Sequence, residues 1–423
     1  MLNHVSAPSP SLRLPLQYIF VSLFCLALSQ ILMFEAGPHL LKGDYRVPSM
    51  WAVSHLLIIG WSCMVAMGAM YQLVPVAFLT PIYSERIGYI QFHLMTLSIV
   101  GFVLAFWLLD RTLLLIFGTG LVSGFLLFIF NMLASFRAIK SWTMISKTVF
   151  ASIIYLSLTI LIGGLLLLQL TLEIFPPDWH NSLLYSHITF GIVGWFSLLI
   201  FGFSYKMVPM FALAHHFSMS KSLNTYYLFH AGILTIVLSY WLENLWLLAL
   251  GSVFILLAFT YFLLVVIEIL RKRMKLLLDE GFVFSLISIP VGFIIHLAFV
   301  LTIFFEISYS TKIILTNWII FLIYLYFMLW ITLCIAGYLY KIIPFLWWTH
   351  KYSQLAGKQK VPMLKDFVNK KMTISVLVGF IISTLGVALS ILLSNFSLFF
   401  LSQLCLTLII SLFIYSLLMI FKK

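Results

Sequence analysis

Eleven histidines stand in a chain of which only 9% is charged, and they are the residues best placed to do chemistry. A neutral imidazole is a ready metal ligand, and in hydrocarbon it is costly unless bonded, so an intramembrane histidine is a functional candidate. Four of them fall inside apolar stretches and sort by depth. His55 and His187 lie about five residues into helices that start at one surface, roughly 7 Å deep at 1.5 Å per residue. His93 and His230, in QFHL and LFHA and 137 positions apart, lie equally deep from the opposite surface. The first pair could supply both axial ligands to a haem, or two ligands to copper or zinc; the second pair is a candidate inner metal site. The bland alternative for each is a neutral imidazole bonded to a backbone carbonyl or hydroxyl. His215, His216 and His350 fall in polar loops and read as solvated, and His296 stands alone.

The elements that carry these rings are apolar helices. Hydrophobic residues make up 63% of the chain and mean hydropathy is +1.14, which excludes a soluble domain of this length. Runs of about 20 apolar residues predict membrane spans. Twelve are expected, near 16–36, 50–75, 88–109, 112–136, 149–172, 183–208, 224–242, 244–270, 281–305, 313–343, 372–393 and 395–421. The fold expected is therefore all-α and integral to the membrane. Cys25, Cys63, Cys334 and Cys405 all sit within spans without CxxC spacing, and read as packing residues.

One pattern recurs. Trp61, Gly68, Tyr71 and Pro75 reappear as Trp195, Gly202, Tyr205 and Pro209, displaced by 134, and again as Trp330, Gly337, Tyr340 and Pro344, displaced by 135. Four positions kept in register across three copies imply a repeated unit. Twelve spans then divide into three pseudo-repeated four-helix units, about 1–140, 141–275 and 276–423, with the signature on the second helix of each. Glu35, Glu173 and Glu306 close the first helices. The proline is expected to stop each signature helix, and the glycine to admit a close neighbour. At 100° per residue, Gly194, Trp195, Gly202, Tyr205 and Pro209 all fall within about 80° of His187, whereas the matching residues fall opposite His55. Either the second span contains a bulge or the two histidines point into different interfaces.

The net charge of +12 is no nucleic-acid footprint, because the basic residues occupy alternate loops. Arg137, Lys140 and Lys147 follow span 4, Arg271 to Lys275 follow span 8, and Lys351 to Lys371 follow span 10. The intervening loops are neutral or acidic. Both termini are thus expected in the cytoplasm, with the loop at 344–371 along the inner leaflet.

Twelve spans in three arcs, with histidine in the outer half of an arc's second helix, resemble subunit I of the haem–copper oxidases. Span 6 carries that family's spacing of ligand His, Gly, a polar residue and Val-Pro as His187, Gly202, Tyr205, Val208 and Pro209. The sequence departs from the oxidases where oxygen is reduced: span 7 has the single His230, and Leu322 on span 10 replaces a ligand. It looks closer to divergent oxidase-like proteins such as the NnrS group linked to nitric-oxide tolerance, although Trp51-Ala-Val-Ser-His55 stands where that group has Trp-His-x-His-Glu-Met. The resemblance implies a haem- and/or copper-binding protein of respiratory or nitric-oxide metabolism in a bacterial inner membrane. It is not a standard terminal oxidase, and respiratory-chain proteins or an electron donor are its implied partners. A metal-ion or small-solute transporter, or a respiratory subunit without cofactor, is the competing expectation.

The loop charges make one prediction by themselves. Alkaline phosphatase fused after Lys423 should be inactive and fused after Asp178 active; the reverse would invert the topology.

Overall fold

The computed structural model describes residues 11–309 and 315–423; the expected start of the tenth span at 313 lies outside them. Among the described residues, eleven helices are long and apolar enough to cross a membrane. In chain order these are α1 (Arg13–Leu41), α2 (Pro48–Phe78), α3 (Glu85–Leu108), α4 (Arg111–Phe136), α5 (Met144–Leu172), α6 (Trp179–Ala212), α8 (Leu245–Arg271), α9 (Glu280–Ser308), α10 (Thr316–Tyr352), α11 (Lys370–Leu393) and α12 (Phe396–Lys422). Between α6 and α8 lies α7 (Lys221–Trp241), a 21-residue helix with a more polar first half, Lys221 to Tyr227. The protein is an all-α membrane protein.

Its helices group into two compact units. One comprises Met1–Tyr18, Met70–Leu276 and Phe293–Lys312; the other comprises Ile19–Ala69, Leu277–Gly292 and Ile313–Lys423.

The three signature helices share a distortion. In α2 the backbone is π-helical over Leu56–Cys63, in α6 over Thr189–Trp195 and in α10 over Tyr326–Thr332. The N–H that follows each segment reaches five residues back: Met64 to Ile59, Phe196 to Gly191 and Leu333 to Met328. Every segment holds its signature tryptophan, and Trp61, Trp195 and Trp330 are all buried. The bulge anticipated in the second span is therefore real, and it is common to three helices.

A second recurrence was not anticipated. The pairs α3–α4, α7–α8 and α11–α12 close with one turn, a left-handed residue followed by Asp or Asn: Leu109–Asp110, Glu243–Asn244 and Ser394–Asn395. In each, the Asx N–H bonds the carbonyl five residues back, at 3.0 to 3.1 Å. Each Asx side chain then caps the next helix, accepting from Leu113, from Trp246 and Leu247, or from Leu398. Such caps satisfy N–H groups that have no partner within the helix.

The signature prolines correct an expectation. They do not stop their helices: α2, α6 and α10 run on to Phe78, Ala212 and Tyr352, so the first nine residues of the expected 344–371 loop are helical. A proline inside a helix removes one N–H and frees the carbonyl four residues earlier, a loss that packed neighbours can absorb. That earlier residue is the signature tyrosine, and its hydroxyl is tied down in two copies. Tyr71 donates to Gln91 Oε1 at 2.6 Å, and Tyr340 lies 2.6 Å from Ser416 Oγ. The glycine expectation holds where the packing is visible. A Cβ on Gly202 would stand 2.6 Å from Val149 Cγ2 of α5, and one on Gly337 2.5 Å from the Gly281 carbonyl of α9.

Polar side chains secure the helix ends. In the first unit Asn131 donates to the Ser84 carbonyl (2.8 Å) and to Tyr71 Oη (3.3 Å) and accepts from the Ser84 N–H (3.0 Å). In the second, Lys341 pairs with Asp279 and Lys370 with Glu280. Asn131→Leu should leave the Ser84 N–H without its partner, while the Ser84 carbonyl keeps the Gly88 N–H, and cost about 1–3 kcal/mol. Thermal unfolding in detergent checks this; an unchanged midpoint would show that the network carries no stability.

Candidate functional site

The first unit concentrates its polar chemistry on one face of α5. Tyr155, Thr159 and Gly163 follow one another at intervals of four, so they stack along a single stripe. Helix α6 lies against this stripe closely enough that a Cβ on Gly191 would come within 3.0 Å of Thr159, and one on Gly194 within 3.0 Å of Tyr155.

His187 meets the outer part of the stripe. Its Nδ1 lies 3.0 Å from the Thr159 carbonyl oxygen. A carbonyl only accepts, so Nδ1 carries the proton and Nε2 is the lone-pair nitrogen. The ring edge covers Gly163, where an added Cβ would stand 2.9 Å from Cε1. Thr159 is held in turn, its Oγ1 donating to the Tyr155 carbonyl at 2.7 Å.

His230 of α7 meets the same stripe one step along. Its Nδ1 lies 2.7 Å from Tyr155 Oη. The two rings stack with centroids 5.4 Å apart, Tyr226 sits edge-on at 4.3 Å, and Phe190 covers the other face of Tyr155. His230 Nε2 is buried and has no hydrogen-bond partner among the described residues. His93, expected beside His230, is exposed on α3, its ring against neighbouring Phe92. His296 is buried between Phe259 and Phe299 of the same unit.

In the second unit, His55 closes the α-helical start of α2 immediately before the π segment. Its Nδ1 lies 2.7 Å from the Trp51 carbonyl, one turn back in its own helix. The tautomer is the same as for His187, but the anchor differs: an adjacent helix in one case, the parent helix in the other. This difference accompanies a two-residue offset in the sequence, six positions from His55 to Trp61 against eight from His187 to Trp195. Leu322, in the corresponding place on α10, is buried.

Among the described residues, no group of three or more His, Cys, Asp or Glu lies close enough to hold a metal ion. The arrangement offers single imidazole donors, each with its other nitrogen fixed. Comparison with protein-family models and with curated proteins found no match. Sequence reasoning singled out His187 and His230 but missed their partners Tyr155, Thr159 and Gly163. The available signal was the four-residue spacing of Tyr155, Thr159 and Gly163.

Adjacent glycines give a test of the His187 seat. Gly163→Ala should drive the imidazole off the Thr159 carbonyl and lower the melting temperature. Gly164→Ala, whose Cβ would meet only Val122 at 4.0 Å, should not. Equal effects of the two would show that the ring is not seated there.

Proposed function

We propose that this is a haem-binding membrane protein in which His187 of the first unit and His55 of the second would each offer Nε2 to haem iron within its own unit. The observation that carries the reading is the Nδ1–carbonyl bond made by both rings, 3.0 Å to Thr159 and 2.7 Å to Trp51. Such a bond fixes the tautomer and turns the ring, the role an outer-shell carbonyl plays behind a metal-bound histidine. When bound, haem would supply one-electron or small-gas chemistry. The residues set the tautomer and the angle of the imidazoles. His230, with Nδ1 held by Tyr155, is the candidate for a copper ligand in the same unit; exposed His93 supports that role less.

Around this site the reading is a twelve-span protein of three related four-helix units. Helix α7 enters the count because 21 residues reach about 31 Å, enough for the hydrocarbon core. Support for the repeat comes from three π segments at matching tryptophans and three matching hairpin turns. The proposed setting is a bacterial inner membrane with both termini inside, in respiratory or nitric-oxide metabolism, drawing on an electron donor of the respiratory chain.

Cavity rescue tests the ligands. His187→Gly and His55→Gly, expressed with haem supplied, should lose or shift the haem absorption and regain it when imidazole is added. His296→Ala should leave the spectrum unchanged. Haem absorption that ignores both glycine variants would remove these histidines from the site.

A further inference from the structure

The segment between α10 and α11 is folded, although its sequence is polar and rich in lysine. Gln359 bridges back to Ala356 around Gly357, whose φ of +80° makes the turn and whose added Cβ would meet nothing within 4 Å. The chain then returns to Trp348 of α10, whose indole N–H donates to the Pro362 carbonyl at 2.7 Å. A short 3-10 turn follows, Leu364–Phe367, in which the Asp366 carboxylate accepts from the Met363 N–H at 2.9 Å. Phe367 is buried, its ring 6.0 Å from that of Tyr352 at the end of α10. Two aromatic contacts thus fix a platform where composition alone reads as a solvated loop.

The exposed side of this platform is cationic and apolar at once. From Lys351 to Lys371 there are six lysines and one acid, Asp366, which is occupied within its own turn. Lys351 donates to the Lys423 carbonyl and Lys370 pairs with Glu280. Lys358, Lys360, Lys365 and Lys371 are exposed and make no ion pair among the described residues. Beside them Met363 is 57% exposed and Leu364 40%. Both ends of the platform continue into helices long and apolar enough to cross a membrane, so it sits where those spans end. Lysines interleaved with apolar side chains at such a boundary match a lipid surface, with phosphate outside and acyl chain beneath.

We propose that this platform binds anionic phospholipid, with Met363 and Leu364 among the acyl chains and Lys358, Lys360 and Lys365 on the headgroup phosphates. Charge complementarity selects the anionic class, because a zwitterionic headgroup carries its own cation beside each phosphate. The apolar pair favours a lipid over an acidic soluble protein. The surface lies wholly in the second unit, and it is independent of the haem reading.

Native mass spectrometry of the full-length protein, offered equal amounts of phosphatidylglycerol and phosphatidylcholine, should show preferential retention of the anionic lipid. A lysine at a membrane surface contributes about fivefold, so Lys358→Gln, Lys360→Gln and Lys365→Gln together should cut that preference by roughly tenfold or more. A control with Arg271→Gln, Lys272→Gln and Lys275→Gln removes as many charges from the first unit and should keep most of it. Met363→Ser with Leu364→Ser keeps every charge and should still weaken retention. The side chains changed on the platform are all exposed, so these variants fold. No preference for phosphatidylglycerol, equal losses in the two glutamine triples, or retention unchanged by the serine pair would each overturn the assignment; the last would leave a surface for acidic soluble partners.

Discussion

Hydrocarbon offers a backbone nothing to bond to, and the fold answers that constraint at every irregular place. Three helices are under-wound into π turns, three pairs close through the same left-handed turn and Asx cap, and proline sits inside the signature helices. Each departure frees an N–H or a carbonyl, and each has a local remedy. The π turns shift the ladder by one residue, the Asx side chains cap orphaned N–H groups, and the signature tyrosines pin the turn preceding proline through their hydroxyls in two copies. The irregularities recur because the remedy comes with them.

The histidines obey the same rule, and their chemistry follows from it. An imidazole placed among aliphatic side chains must give its proton to something, and for His55 and His187 that is a carbonyl. Satisfying one nitrogen this way defines the other as a lone-pair donor held at a set angle. At His230 the partner is the Tyr155 hydroxyl, which donates as well as accepts and so fixes the ring without setting its tautomer. Thus the bonding that makes a buried histidine tolerable is also what makes it a competent ligand. Leu322 shows the contrast: the third copy retains the π segment and tryptophan without the ring, so the bulge belongs to the architecture and the imidazole to two of its copies.

Much of the architecture was legible. Apolar length located the helices, and the tryptophan register pointed to the three segments that prove to be π-helical. The turn chemistry was missed, although Asp110 and Asn244 are themselves 134 residues apart, because an Asx residue between two apolar runs reads as an ordinary loop. The prolines misled, since a residue without an N–H need not end a helix when packed neighbours and local backbone adjustment absorb the lost bond. For the site, residue type and depth selected the histidines, while their anchors were hidden. Backbone carbonyls carry no residue identity, and Thr159, 28 positions from His187, is brought to it only by tertiary packing.

The electronic absorption spectrum of the purified full-length protein, expressed with haem and copper supplied, tests the central claim most directly. Imidazoles anchored through Nδ1 to serve a macrocycle predict an intense Soret band that sharpens on reduction. A colourless preparation that also carries no copper or zinc by elemental analysis would contradict it, and would leave those anchors as the ordinary bonding of buried histidines.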